Sequence, residues 1–229
     1  MTVRGISSMA TGPLLADLVA DYQRARGETV AIESVGGVDA AKRIRAGEAF
    51  DLAVLSSDAM DALEKEGHLL HGTRVDVVRS RMAIAIAAGA PRPDLASEDA
   101  VRDAVRSARR VGYSTGPSGN HLLRLIDRWG LADELRPRLM QAPPGTPVGA
   151  LVARGEVDLG FQQRAELMGV EGIEVMDGLP QGVQSVTVFA AQACARSDRR
   201  RDTERFLQFL ASPATSDAKR RRGMEPAEA

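Results

Sequence analysis

Hydrophobic and polar positions along this chain alternate between a helical period and a strand period. Residues 14–22 carry apolar side chains at i, i+4 and i+8, which predicts an amphipathic helix. Residues 29–33 then read as a strand, residues 39–47 as a short helix and residues 50–55 as a buried strand. Residues 57–67 form the next predicted helix, which ends at a glycine. This alternation predicts an α/β fold whose parallel strands are covered by helices on both faces.

The pattern changes at residues 75–87, where the apolar stretch is too long for one ordinary strand and carries no helix caps. We interpret it as two strands in succession, with the chain passing from one lobe to another near Ser80. The strand predicted at residues 185–191 is a second crossing. The two crossings assign residues 1–80 plus 191–229 to lobe 1 and residues 81–190 to lobe 2.

The second lobe resumes the alternation of strands and helices. The further predicted elements are a helix at 98–109, a strand at 110–114, helices at 118–129 and 147–154, a strand at 157–161, and helices at 202–210 and 212–222. The expected architecture is therefore a two-lobed α/β protein in which each lobe is a mostly parallel sheet flanked by helices. Two strand crossovers form a hinge, and we expect a ligand cleft at the carboxyl ends of the strands.

Four loops at the carboxyl ends of predicted strands are small and polar, and none of them carries a carboxylate. Such loops donate hydrogen bonds without presenting negative charge, which favours a small anion as ligand. Two of these loops lead into helices, whose first backbone N–H groups stabilise anions. Arg81, at the first crossing, is a candidate clamp for a carboxylate. The candidate ligand-binding residues are Ser7, Ser8, Met9, Gly36, Gly37, Val38, Arg81, Ser114, Thr115, Ser118, Gly119, Asn120, Gln162 and Gln163.

Catalytic motifs are weaker than binding motifs in this sequence. Ser114, Ser118 and His121 suggest a hydrolase, but no orienting acid lies nearby in sequence, so a ligand donor or a helix cap is favoured. The glycines at 36–37 do not form a dinucleotide fingerprint, and the loop at 116–119 lacks the lysine of a P-loop. The sequence identifies no catalytic residue.

Composition narrows the function classes further. The chain has 229 residues and a net charge of −1, which gives no reason to expect a nucleic-acid partner. One cysteine and three histidines without metal-ligand spacing predict neither a metal site nor a cofactor. No apolar stretch approaches the roughly 20 residues that a membrane helix needs, so no membrane insertion is expected. Because the first predicted strand begins at Thr2, the sequence as written reads as cytoplasmic, and as periplasmic if a signal peptide has been removed.

Several segments in this order resemble the periplasmic molybdate-binding proteins of ABC transporters, which have the type 2 solute-binding fold. They are Ser8-Met9 after the first strand, residues 46–54, residues 155–160, and residues 209–213 with 223–226. The resemblance covers essentially the whole chain. It implies a hinged binding protein for a small anion and, for an exported protein, an ABC permease as partner.

Within this resemblance, the expected ligand residues are only partly present. Ser8 matches the first oxyanion-binding serine of the family, whereas Gly37 stands where the second is expected and Gln163 where a tyrosine is expected. These departures argue against molybdate. Aconitate isomerase, which moves a double bond in aconitate, is similar in fold and needs proton abstraction and return at carbon. A solute-binding protein for an oxyanion or organic polycarboxylate is the first hypothesis, an isomerase on the same scaffold the alternative, and catalysis remains open.

Overall fold

The computed structural model describes residues 2–227 and confirms the α/β class. Its strands are β1 (Thr2–Ser8), β2 (Thr29–Val35), β3 (Leu52–Ser56), β4 (Val75–Ala87), β5 (Val111–Tyr113), β6 (Leu139–Gln141), β7 (Leu159–Gln163), β8 (Ile173–Met176), β9 (Val186–Ala193) and β10 (Glu225–Pro226). Its helices are α1 (Gly12–Arg26), α2 (Gly37–Arg45), α3 (Ser57–Lys65), α4 (Glu98–Ser107), α5 (Pro117–Arg128), α6 (Ala132–Leu135), α7 (Val148–Ala153), α8 (Arg164–Leu167), α9 (Arg200–Ala211) and α10 (Ser216–Arg221).

The chain divides into two compact units. Unit 1 consists of Met1–Ser80 and Val188–Ala229, and unit 2 of Arg81–Thr187. The strands β4 and β9 each continue through a boundary between the units. No helix within residues 2–227 has both the length and the apolar character needed to span a bilayer.

The sheet of unit 1 contains the parallel strands that the sequence predicts. β1 lies between β2 and β3 and is parallel to both, and Ser7 stands level with Ser34 of β2 and Val54 of β3. β9 then pairs with β3 in the antiparallel direction. Apolar side chains from these strands and from α2 and α3 form a core, which includes Ile6, Ile44, Phe50, Ala53, Leu55, Met60, Leu63 and Ala190. This core fixes the carboxyl ends of β1 and β2 side by side.

The sheet of unit 2 has a similar parallel centre. β5 is parallel to β6 and β7, and Tyr113 stands level with Gln141 and Phe161. The second half of β4 pairs in the antiparallel direction with β7 and with β8. The main core of this unit includes Ile84, Val101, Val105, Val111, Leu122, Ile126, Leu159 and Phe161. It holds the loops that follow β5 and β7 at one edge of the sheet.

The prediction of two successive strands at residues 75–87 is wrong, because β4 is one continuous strand of 13 residues. No glycine or proline interrupts this stretch, so nothing in its backbone forces a break. Its two halves pair with different partners: Arg79 stands opposite Glu225 of β10, whereas Met82 stands opposite Gln163 of β7. A strand can exceed the usual length when each half has its own neighbour.

Candidate functional site

At the carboxyl end of β1, two adjacent serines differ in how their hydroxyl groups are satisfied. The Ser7 and Ser34 hydroxyl oxygens lie 2.7 Å apart and share a hydrogen bond. Ser8 is also buried, but its Oγ has no hydrogen-bond partner among the described residues. Its backbone carbonyl accepts a hydrogen bond of 3.1 Å from Thr11 Oγ1. A buried hydroxyl without a partner is costly, so Ser8 is prepared to bind a ligand or a water molecule.

The start of α2 lies next to Ser8. A Cβ atom placed on Gly37 would be 3.6 Å from the Ser8 Cβ, which is an ordinary van der Waals distance. Gly36 precedes this helix, and no side chain caps its first turn. Val38 is exposed and Met9 partly exposed beside these residues. The end of β1 and the start of α2 therefore present hydroxyl and backbone donors, and Asp39 in the first turn of α2, paired with Lys42 at 3.8 Å, adds one carboxylate that the predicted loop did not include.

In unit 2, the loop between β5 and α5 is held by hydrogen bonds between its own residues. The Ser114 and Ser118 hydroxyl oxygens lie 3.2 Å apart, and the Gly116 N–H donates to Ser114 Oγ over 3.3 Å. A Cβ atom on Gly119 would come within 1.8 Å of the Ser114 carbonyl oxygen. Only glycine allows the first turn of α5 to approach the loop backbone this closely.

The other predicted residues around α5 are less enclosed. Thr115 is partly exposed, and Asn120 and Arg81 are exposed. His121 Nε2 lies 2.9 Å from the Val183 carbonyl oxygen and so donates its proton there. Burial lowers the pKa of this histidine, which favours the neutral ring. Ser118 is bonded to Ser114 and not to His121, so the described contacts give a serine hydrolase no support.

Two buried glutamines at the end of β7 are anchored by the protein itself. Gln162 Oε1 accepts a hydrogen bond of 2.7 Å from the Val148 N–H at the start of α7. Gln163 Nε2 donates over 2.8 Å to Thr187 Oγ1, and its Oε1 has no partner among the described residues. Both amides are therefore held in one orientation, and Gln163 retains one polar atom for a ligand.

Glu166 of α8 was missed by the sequence analysis. It is partly exposed and has no lysine, arginine or histidine within salt-bridge distance among residues 2–227. Burial raises its pKa from 4.5 to about 7, and the amide of Gln162, which favours the carboxylate form, opposes this shift. No local pattern marks this glutamate, because its environment depends on packing between α7, α8 and β7.

The structure thus places the predicted residues in two sets. Ser7, Ser8, Met9, Gly36, Gly37 and Val38 lie together in unit 1. Arg81, Ser114, Thr115, Ser118, Gly119, Asn120, Gln162 and Gln163 belong to unit 2. Each set is rich in hydrogen-bond donors, and unit 2 also contains Glu166, an acid with an elevated pKa. Within each unit, these donors can form hydrogen bonds with a carboxylate.

Comparison with known proteins extends this description. Residues 3–225 match the model of the bacterial extracellular solute-binding protein family. The chain is 31% identical over its whole length to an aconitate isomerase from a Pseudomonas species, of which the match covers 89%.

Solved structures with the same fold are more distant in sequence. The periplasmic molybdate-binding protein of Azotobacter vinelandii is 18% identical with a TM-score of 0.79, and the match covers 99% of this chain and all of that one. A periplasmic thiamin-binding protein is 17% identical with the same TM-score of 0.79, and the match covers 100% of this chain and 84% of that one. These two neighbours are named for chemically different ligands, so likeness of fold leaves the ligand to be argued from side chains.

Proposed function

Because this chain belongs to the bacterial extracellular solute-binding protein family, we propose that it binds a small anion, and that an organic polycarboxylate suits its residues better than a tetrahedral oxyanion. The observation that carries this proposal is the unpartnered Ser8 hydroxyl beside the uncapped start of α2. Free donors at a helix start favour an anionic ligand, and the carboxylate of Asp39 in this first turn is paired with Lys42 at 3.8 Å.

The choice of an organic acid depends on two residues. Gly37 supplies no hydroxyl next to Ser8, and Gln163 supplies an amide whose Oε1 has no partner. Fewer hydroxyl donors and an added amide suit a ligand with separated carboxylates and a C–H or O–H edge better than a compact symmetrical anion. Each set of residues is a candidate for ligand contacts within its own unit, and an ABC permease is the proposed partner of an exported form.

A thermal-shift panel tests this proposal directly. Molybdate, tungstate, sulfate, citrate, cis-aconitate and trans-aconitate are each added to the purified protein. A ligand at a hundredfold excess over its Kd stabilises the folded state by about 2.7 kcal/mol. We expect a tricarboxylate to raise the melting temperature and sulfate to leave it unchanged. Stabilisation by molybdate alone would assign the site to oxyanions, and no stabilisation by any anion would overturn the proposal.

A second candidate function is the isomerisation of aconitate. It is favoured by 31% identity to an aconitate isomerase across the entire chain, well above the identity to the structural neighbours described above. The reaction needs a group that takes and returns a proton, and Glu166 is a titratable group beside Gln162. Proton NMR of trans-aconitate incubated with the protein distinguishes the two functions, because a receptor leaves the spectrum unchanged and an isomerase produces the cis isomer.

A further inference from the structure

Four arginines line a cavity in the segment that follows β9. The cavity has a volume of about 580 Å³ and is lined by residues 195–202, whose arginines are Arg196, Arg199, Arg200 and Arg201. We propose that this cavity binds a ligand that carries two or more phosphate groups. All of its lining belongs to unit 1. The site is separate from the one proposed at Ser8 and does not depend on it.

Strand directions place this cavity at the opposite edge of the sheet from Ser8. β9 runs antiparallel to β3 and ends at Ala193, which stands level with Leu52, the first residue of β3. Because β1 is parallel to β3, the segment after β9 lies at the edge where these two strands begin. Ser8 ends β1 at the other edge. A ligand in the arginine-lined cavity therefore leaves the Ser8 hydroxyl free.

Hydrogen bonds fix the shape of the segment that carries the arginines. Ser197 is buried, and its hydroxyl donates over 2.7 Å to Asp51 Oδ1, just before β3. The Arg199 N–H donates over 3.1 Å to Ser197 Oγ. A Cβ atom on Gly47 would lie 2.8 Å from Arg196 Nη1, so this guanidinium group rests against the Gly47 backbone. The backbone is thus set before a ligand arrives, which lowers the entropic cost of binding.

The arginines of this cavity lack the ion pairs that several other arginines of unit 1 form. Arg45, for example, binds Glu66 at 2.7 Å. Among residues 2–227, no carboxylate lies within salt-bridge distance of any of the four cavity arginines. Of the two carboxylates in the lining, Asp202 is bound to Arg205 at 2.6 Å, so only Asp198 remains to offset the four guanidinium groups. The cavity therefore carries an excess of positive charge.

Folding alone does not account for these positions. Arg199 immediately precedes α9, and Arg200 and Arg201 begin it. The amino-terminal end of a helix carries partial positive charge, so cations there are unfavourable, and neighbouring guanidinium groups repel one another. Asp202 in the same turn compensates for only part of this charge. A bound anion would remove both penalties, which makes the cluster easier to explain by ligand binding than by stability.

The charge and size of the cavity favour phosphate groups over carboxylates. A planar guanidinium group donates two parallel hydrogen bonds to a phosphate. A phosphate monoester carries a charge of about −1.5 to −2 at neutral pH, so two such groups match four arginines offset by Asp198. A carboxylate carries only one charge. A volume of about 580 Å³ falls within the range of roughly 300–1,000 Å³ for small-molecule sites and accommodates more than one phosphate group.

Isothermal titration with tripolyphosphate tests the site. The wild type is compared with Arg199→Gln/Arg200→Gln and with the control Arg24→Gln/Arg26→Gln, which removes the same charge from exposed positions of α1. We expect the Kd to rise at least about tenfold in the cavity variant and to stay within about twofold in the control. Affinity should fall as the salt concentration rises, and citrate should not displace tripolyphosphate.

Thermal melting without ligand shows whether the cavity variant is folded. Because Arg199→Gln/Arg200→Gln removes cations from the start of α9, its melting temperature should equal or exceed that of the wild type. A raised Kd in a variant that melts normally would support the site.

Sedimentation with vesicles distinguishes a soluble ligand from a lipid headgroup. Vesicles of phosphatidylglycerol and phosphatidylcholine present phosphate groups side by side, and vesicles of phosphatidylcholine alone are the control. Binding of tripolyphosphate without vesicle binding would assign the cavity to a soluble phosphate compound. Vesicle binding that tripolyphosphate abolishes would assign it to anionic headgroups. The proposal would be overturned by no binding to either probe, by equal loss of affinity in the two arginine variants, or by displacement with citrate.

Discussion

The two sets of candidate residues differ in how many of their polar atoms already have hydrogen-bond partners within the protein. In unit 1, the Ser8 hydroxyl has no partner, and the start of α2 is uncapped with space around Gly37. In unit 2, Ser114 bonds Ser118, and Gln162 bonds the Val148 N–H. Gly119 there has no space for a side chain. The first set keeps the Ser8 hydroxyl available for a ligand, whereas the second uses most of its polar atoms to hold its own loops, so mutations should separate binding from stability.

The largest expected effect on stability is that of replacing Gly119 with alanine, and the same substitution at Gly37 provides the comparison. Gly119→Ala would place a Cβ atom 1.8 Å from the Ser114 carbonyl oxygen, so the loop must move, and we expect a loss of about 3 kcal/mol or more. Gly37→Ala meets its nearest atom at 3.6 Å and should change stability by less than about 1 kcal/mol. Urea denaturation of both variants measures the difference. Equal destabilisation by the two substitutions would contradict the contrast between the loops.

A pH series tests the elevated pKa of Glu166 in unit 2. The pKa of Glu166 is raised from 4.5 to about 7, so the native state binds more protons than the unfolded state between these values, and stability falls as pH rises through this range. The cost of ionisation reaches up to about 3 kcal/mol above pH 7. Glu166→Gln should remove this slope, and Glu171→Gln should retain it, in denaturation curves between pH 4.5 and 8. Parallel curves for the wild type and Glu166→Gln would exclude an elevated pKa.

Loss of one amide should weaken unit 2 without any ligand present. Gln162→Leu leaves the Val148 N–H without its partner at 2.7 Å, which we expect to cost about 1–3 kcal/mol. Gln141→Leu alters an exposed glutamine of the same unit and should stay within about 0.5 kcal/mol of the wild type. Melting temperatures in ligand-free buffer provide the comparison. If both variants melt together, the Gln162 amide contributes nothing to the fold.

The smallest effect on stability should accompany a clear effect on binding. Ser8→Ala removes a buried hydroxyl that has no partner, so folding should be nearly unchanged. Ligand affinity should fall by about 10- to 100-fold, because a hydrogen bond to a charged group contributes about 1.5–3 kcal/mol.

The control for Ser8→Ala is Thr203→Val, which removes another buried hydroxyl without a partner, in α9. Isothermal titration with the tricarboxylate that stabilises the wild type should show full affinity for this control. Full affinity in Ser8→Ala would remove Ser8 from the site.

Much of the fold is readable from periodicity. Apolar spacing alone predicts the helices near residues 14–22 and 118–129 and the strands β1 and β7. The short strands β6, β8 and β10 were not predicted, because two to four residues carry no alternation and are recruited by their neighbours. The unbroken course of β4 likewise depends on partners distant in sequence.

The candidate site, too, is predictable from the sequence only in part. Small polar residues after strands mark the loops from sequence, since the carboxyl ends of parallel strands share an edge. Which polar atoms are free and which are committed is set by contacts across the fold, such as Gln162 with Val148 and Gln163 with Thr187. The elevated pKa of Glu166 arises from burial and could not be read from its neighbours in sequence.

The continuity of β9 has a consequence for synthesis on the ribosome. Unit 2 is one uninterrupted stretch of chain, whereas unit 1 begins the chain and is completed only by Val188–Ala229. Until β9 emerges, Leu52 of β3 lacks its partner Ala193, and Tyr22 of α1 lacks the ring of Phe206 at 5.0 Å. The nascent amino-terminal segment therefore carries an open, apolar strand edge while the middle of the protein is translated. The half that emerges first is the half that finishes folding last.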